Sequence, residues 1–249
     1  MFERFLHDSR LPAWMRRTHP LVARILRQKP ADSLRYVVFG SSIGLFLLFG
    51  GLSLPLLYLF LWLSILMQQA TTTAARMHAA QEKQTWDVLR AAPFSPRELL
   101  LSIWAGNFWH LNRSWVMNIY RLLQGTAVIG VIVYGLWFAA FPPQQAVTVL
   151  LVGLGAIVFQ PVSEAYFSGM IGVLFAGYIR QSTGALGATI FTVLAYWCLC
   201  LALIIWILFT NSHELDLAHL LIALSLPSLL PLVLGYTALR AAEIRLQNA

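Results

Sequence analysis

Glu164 is the residue whose setting most clearly suggests chemistry, because it is the only carboxylate inside one of the long apolar runs of the chain. It follows Pro161 in a stretch from about 146 to 179. Placing an ionisable side chain inside a membrane costs free energy, so such a residue is first considered as part of a functional site. Glu164 is therefore a candidate for a gate or a substrate contact, and a capping or packing role is the alternative. If the helix breaks at Pro161, Glu164 lies in a re-entrant turn near the outer surface.

Two other patterns share letters with catalytic motifs but lack their context. Residues 40–44 read Gly-Ser-Ser-Ile-Gly, yet a serine elbow needs a strand-to-helix turn, and this copy lies in an apolar run. His213-Glu214 lacks the second histidine of a zinc-protease site. We therefore predict no catalytic residue and no metal site. An intramembrane enzyme that uses Glu164, Ser42 or His110 is kept as an alternative.

Nucleotide hydrolysis by this chain is not expected. A P-loop needs a lysine after glycine and before serine or threonine, whereas Lys29 and Lys83, the only lysines, follow Gln and Glu. A proton-coupled secondary carrier that uses Glu164 is a further alternative, although such a carrier usually has more than one buried carboxylate.

The composition places these residues in a membrane protein. Of the 249 residues, 59% are hydrophobic and 11% are charged, against about 45–50% and about 25% in soluble domains. This excludes a soluble enzyme, a disordered chain and a secreted disulfide scaffold. Six apolar segments are long enough to span a bilayer, and together they predict an all-α polytopic fold. Their approximate limits are 36–52, 54–73, 122–140, 146–179, 185–209 and 217–239.

The positive charges fix the predicted orientation. The 17 Lys and Arg residues lie before the first span, between the second and third, between the fourth and fifth, or after the sixth. Under the positive-inside rule both termini are cytoplasmic, in an inner or plasma membrane. The net charge of +7 is then explained by basic residues that face the anionic lipids of the cytoplasmic leaflet. No nucleic-acid partner is expected. We divide the chain into a basic segment, 1–35, and one transmembrane domain, 36–249.

Small residues predict where two helices approach closely. Ser168, Gly172 and Ala176 recur every four positions in the fourth span. In membranes, such small-residue faces let helix backbones pack closely.

The basic N-terminal segment contains an amphipathic pattern. Apolar residues recur at helical spacing between Pro20 and Pro30, with Arg24 and Arg27 between them. Such a helix, preceded by Trp14, is typical of one that lies in the membrane interface. Packing on the rest of the protein is the alternative.

The longest region between spans, 74–121, predicts a cytoplasmic helix-Pro-helix element at about 76–115. Trp86 and Leu89 share a face of a short helix that ends at Pro93. Ser95, Pro96 and Glu98 then form the capping box of a second helix. We expect this helix to return along the interface, with Trp104, Trp109 and Trp115 in an aromatic belt. An exposed tryptophan on a short helix suits a docking site for a cytosolic partner. Folding back onto the spans is the alternative.

The region after the second span resembles that of ABC-2 type transporter permeases, which have six spans and a basic amphipathic opening helix. The matching residues are Glu82, Thr85-Trp86-Asp87-Val88-Leu89, Pro93, Ser95-Pro96 and Glu98, with Gln84 where the family usually has Gly.

This resemblance implies a transport subunit, commonly an exporter. The helix-Pro-helix element would be a coupling helix that docks on a separate ATP-binding subunit through Glu82, Thr85, Trp86, Leu89 and Pro93. ATP and Mg²⁺ would be bound by that subunit, so this chain needs no cofactor of its own. Two permease chains, identical or different, would form the pathway. The sequence does not identify the cargo.

Overall fold

The computed structural model describes residues 11–27, 40, 44, 53–82, 94–137, 143–210 and 217–247. All regular structure within these ranges is helical, as the sequence predicts. Three helical segments are long and apolar enough to cross a membrane: Leu56–Gln81, Leu151–Tyr178 and Ser182–Leu203. They correspond to the second, fourth and fifth predicted spans. The first predicted span lies almost entirely outside the described residues.

A short 3-10 turn at Ala13–Met15 precedes the first described helix. The helices are α1 (Pro20–Leu26), α2 (Ser53–Glu82), α3 (Pro96–Asn112), α4 (Trp115–Trp137), α5 (Pro143–Tyr178), α6 (Ser182–Thr210) and α7 (Leu217–Gln247). We call the end of the bundle at which α2 and α5 end, at residues 82 and 178, the basal end.

Helices α2 and α5 run parallel at the centre of the bundle. Trp62 lies beside Glu164, and Ala70 lies beside Gly172, so the two helices keep one register over two turns. A Cβ atom on Gly172 would overlap the carbonyl oxygen of Ala70. The prediction that this small-residue face packs closely is therefore confirmed.

The sequence predicts a kink or a break at Pro161; helix α5 is continuous through this residue, so the break does not form. The proline lacks an N–H and leaves the carbonyl of Ile157 without its helical donor. The adjacent turn is bridged by Ser163 Oγ, which donates to the carbonyl of Gln160 at 3.0 Å. The 36 residues of α5 extend about 54 Å, which exceeds the roughly 30 Å of a hydrocarbon core.

Helix α3 is buried within the protein, whereas a helix lying along the membrane interface would expose one face to lipid. Thirteen of its 17 residues are buried, including Trp104 and Trp109. Each indole N–H donates to a protein carbonyl at 2.9 Å, Trp104 to Ala165 and Trp109 to Met15. The expected aromatic belt is thus wrong for these two residues, because their polar atoms have partners inside the fold.

Helix α1 packs along α3 through its apolar face. Val22 and Ile25 are buried. The side chain of Ile25 lies directly on Gly106, so that a Cβ atom at residue 106 would overlap the isoleucine. Arg24 and Arg27 remain exposed. The apolar face of α1 is therefore covered by protein, and its two arginines are on the exposed face.

The capping box is confirmed at the start of α3. Ser95 Oγ accepts from the backbone N–H of Glu98 at 3.2 Å, and Glu98 Oε2 accepts from the backbone N–H of Ser95 at 3.1 Å. The short helix predicted just before it, with Trp86, Leu89 and Pro93, lies outside the described residues.

Candidate functional site: a buried carboxyl in the helix bundle

Glu164 lies in the interior of α5 with 1% of its surface exposed. The re-entrant turn considered from the sequence does not form, because α5 continues past Pro161. One helical turn on, Ser168 Oγ donates to the backbone carbonyl of Glu164 at 2.8 Å. Its carboxyl is therefore presented by a regular helix to the centre of the bundle.

Two glutamine side chains connect this carboxyl to α4. Gln124 Nε2 donates to Gln160 Oε1 at 2.9 Å, and Gln160 Nε2 donates to Glu164 Oε1 at 3.1 Å. All three residues are buried. The chain of amides thus links α4 to α5 at positions that are 36 residues apart in the sequence.

Aromatic side chains from three helices surround the amides. Tyr58 of α2 stacks on Tyr120 of α4, with ring centroids 5.3 Å apart and planes inclined by 7°. Trp62 of α2 and Tyr196 of α6 complete the surroundings of Glu164. We call these residues the Glu164 cluster: Tyr58, Trp62, Tyr120, Gln124, Gln160, Glu164 and Tyr196.

The cluster has hydrogen-bonding capacity that the described residues do not use. Trp62 Nε1, Gln124 Oε1 and the hydroxyl of Tyr196 are buried and make no hydrogen bond of normal geometry there. Within the same part of the chain, no basic side chain forms an ion pair with Glu164. Unpaired buried polar groups are costly and usually indicate an ordered water or a ligand. The cluster can therefore hold a small polar group or carry a proton on the carboxyl.

A second polar group of side chains joins α2 to α3. Arg76 donates to Asn107 Oδ1, and Asn107 Nδ2 donates to Thr73 Oγ1 at 2.9 Å. We call these three residues the Arg76 clamp. His110 lies one turn beyond Asn107 on α3. Burial, followed by the nearby guanidinium groups of Arg76 and Arg113, lowers the pKa of His110 below its usual 6.5.

Of the predicted coupling residues the structure describes only Glu82, which does not belong to the Glu164 cluster. Glu82 ends α2 at the basal end, whereas Glu164 lies 14 residues before the basal end of α5. Thr85, Trp86, Leu89 and Pro93 lie outside the described residues, as does Ser42. No group of three or more His, Cys, Asp or Glu residues suits a metal ion within the described ranges.

Sequence reasoning missed Gln124, Gln160 and the Arg76 clamp. A signal was present for the glutamines, since each interrupts a predicted span and an amide in hydrocarbon needs a partner. No such signal marks Arg76, which is one of several basic residues between the second and third predicted spans.

Over the described residues the fold is all-helical, and three of those helices are long and apolar enough to cross a membrane. No family model, curated protein or solved structure matches the chain.

Proposed function

We propose that this chain is the membrane-spanning permease subunit of an ABC transporter, an exporter of the ABC-2 type. It has six spans with both termini in the cytoplasm, and the basal end faces the cytoplasm. Two such subunits form the pathway, and a separate ATP-binding subunit drives it.

The observation that carries this proposal is how the predicted coupling segment is anchored. Residues 83–95 connect the end of α2 to the start of α3. Those two helices are joined by the Arg76 clamp, and α2 is in backbone contact with α5 at Gly172. Force applied to the segment by a cytosolic subunit would therefore reach the centre of the bundle instead of being lost in a flexible loop.

The buried position of α3 supports the same mechanism. Trp104 bonds to the carbonyl of Ala165, which is adjacent to Glu164 on α5. A shift of α3 would thus pull on α5 beside the carboxyl. Rigid helices joined by polar contacts with two possible arrangements are the means by which such movements spread through a protein.

In this proposal the Glu164 cluster is the gate. It joins α2, α4, α5 and α6, and its amide chain holds α4 against α5 in the described conformation. Separation of α4 from α5 would expose Gln124, Gln160 and Glu164 as polar groups along a pathway. The unused hydrogen-bonding atoms of the cluster would then contact the cargo or water.

The test is co-purification of the tagged chain from membranes of its source cells. We expect a soluble protein with a P-loop to co-purify and the complex to hydrolyse ATP. Trp86→Ala should lose this partner while remaining in the membrane. Trp206→Ala is the matched control, because Trp206 is exposed on α6, and it should retain the partner. Retention by the Trp86 variant, or transport by the isolated chain, would contradict the proposal.

One observation favours a second candidate, a proton-coupled carrier. Glu164 is buried without a basic partner among the described residues, and carboxyls in this setting carry protons in transporters. The test uses the purified chain alone in proteoliposomes under a pH gradient. Proton uptake that is lost in Glu164→Gln would favour the carrier, and its absence would favour the ATP-driven permease.

A further inference from the structure

A groove of about 300 Å³ lies between α5 and α7. It falls within the part of α5 that can cross a membrane, and both helices expose large apolar side chains around it, among them Phe159 and Leu229. We therefore expect the groove to face the hydrocarbon of a bilayer. Its lining residues include Val152, Gly155 and Phe159 of α5 and Ser228, Leu229 and Leu232 of α7.

One polar side chain in this apolar lining has no partner. Ser228 is 6% exposed, and its Oγ makes no hydrogen bond to the described residues. A serine in a helix often donates to a carbonyl of the preceding turn, as Ser225 does to Ile222 at 3.3 Å. Ser228 does not, so its hydroxyl is available to an occupant of the groove.

The backbone next to Ser228 is also short of donors. Pro227 and Pro231 lie within α7, and neither has an N–H. The carbonyls of Ala223 and Pro227 consequently lack their helical donors. In hydrocarbon no water replaces a missing hydrogen bond, so polar groups must be satisfied by protein or by a bound molecule.

The size of the groove argues against a helix of a second copy as its occupant. A helix with its side chains is about 10–12 Å wide and rises about 1.5 Å per residue, so the volume of the groove equals about two to three residues of helix. A single alkyl chain is much thinner. The apolar lining and the unpartnered hydroxyl of Ser228 together indicate an occupant that combines apolar surface with one hydrogen-bonding group.

We propose that the groove binds a single-chain amphiphile with a terminal hydroxyl, such as a long-chain alcohol. The alkyl chain lies between α5 and α7, and its hydroxyl exchanges hydrogen bonds with Ser228 Oγ. The space for the chain exists because residue 155 is glycine. A Cβ atom on Gly155 would meet nothing within 4 Å, so a larger side chain there fills the groove without disturbing the fold. This proposal does not depend on the transport function.

The test uses the full chain in phosphatidylcholine nanodiscs and two photoactivatable probes. One is dodecanol with a mid-chain diazirine, and the other is the corresponding dodecane. Cross-linked peptides are quantified by mass spectrometry. We expect the alcohol to label the groove segments of α5 and α7 more strongly than the alkane does.

Three variants make the test specific. Gly155→Leu should reduce labelling by the alcohol at least about fivefold, because the side chain occupies the site. Gly187→Leu on α6 is the matched control, since a Cβ there also meets nothing within 4 Å, and it should label like the wild type. Ser228→Ala should reduce the preference for alcohol over alkane about two- to tenfold, the effect of one hydrogen bond.

Thermal unfolding first verifies that each variant is folded. If Gly155→Leu does not fold, the comparison of Ser228→Ala with the wild type still decides the test. Equal labelling by alcohol and alkane that Ser228→Ala leaves unchanged would mean ordinary lipid contact and would overturn the proposal. Undiminished labelling of a folded Gly155→Leu variant would do the same.

Discussion

Helices α5 and α6 are adjacent, and both are able to cross a membrane. The more apolar of the two, α6, is the less buried one. The candidate span of α6 has the highest mean hydropathy of the three, yet only 22% of it is buried. The candidate span of α5 is less apolar and 71% buried. The more polar helix is therefore the one at the centre.

The bilayer explains this inversion. Lipid tails are as apolar as leucine, so an apolar helix gains nothing by leaving them, whereas small and polar residues gain close packing and hydrogen bonds inside the protein. Helix α5 supplies such residues in Gln160, Glu164, Ser168 and Gly172. Helix α3 follows the same rule, since Asn107 and the two indole N–H groups of Trp104 and Trp109 are all bonded inside the fold.

The largest difference in the free energy of unfolding is expected between alanine substitutions of two phenylalanines, one on α5 and one on α6. Phe167 on α5 is 2% exposed and packs on Tyr196 with ring centroids 4.4 Å apart, whereas Phe191 on α6 is 73% exposed. Phe167→Ala should reduce the free energy of unfolding by about 3–5 kcal/mol, and Phe191→Ala by no more than about 0.5 kcal/mol. Thermal or SDS-induced unfolding in micelles measures both. Equal losses would mean that the exposed face of α6 is covered in the functional protein.

Gly172→Leu should disrupt the contact between α2 and α5. The new side chain would overlap the carbonyl oxygen of Ala70, which the backbone cannot easily move, so we expect a loss of about 3 kcal/mol or more. Gly177→Leu is the control on the same helix, because a Cβ there meets nothing within 4 Å. The yield of monodisperse protein and the unfolding midpoint are the measurements. If both variants unfold alike, then α2 and α5 do not pack as described.

Replacement of Glu164 tests whether its hydrogen bond stabilises α5 at the centre. Glu164→Leu would leave Gln160 Nε2 without its acceptor, which should cost about 1–3 kcal/mol. Glu164→Gln keeps an acceptor at the same place and should cost less. The difference between the two unfolding free energies isolates the hydrogen bond. A leucine variant as stable as the glutamine variant would show that the amide chain does not contribute to stability.

The smallest expected effect is a pH dependence at the edge of α3. The pKa of His110 is lowered in the folded chain by burial and by Arg76 and Arg113. Well above pH 6.5 the imidazole of His110 is neutral in both the folded and the unfolded state and does not change the stability. As the pH falls below that value, the unfolded chain binds the proton first and stability declines. The unfolding midpoint of His110→Gln should fall less than that of the wild type between about pH 7.5 and pH 5, and parallel curves would exclude His110 as the cause.

Local signals in the sequence predicted the helical elements well. The capping box at Ser95 and Glu98 depends on residues three positions apart, and three of the apolar runs correspond to helices able to cross a membrane. The continuity of α5 could not be read in the same way. A proline permits a break without requiring one, and tertiary contacts on both sides of Pro161 hold the helix together.

The candidate site was predicted only in part. The intramembrane setting of Glu164 identified it, but its partners could not be inferred, since Gln124 is 36 residues away from Gln160 along the chain. The same holds for the Arg76 clamp and for the contact of Trp109 with Met15, 94 residues apart. Such pairs form only when helices pack at one particular register and rotation.

The sequence by itself determined that this protein is helical and apolar enough for a membrane, because length, hydropathy and capping are properties of short segments. Only the tertiary structure decided which faces meet. In a bilayer, an apolar face is equally stable against lipid and against protein, so burial follows from the few small and polar side chains that find partners.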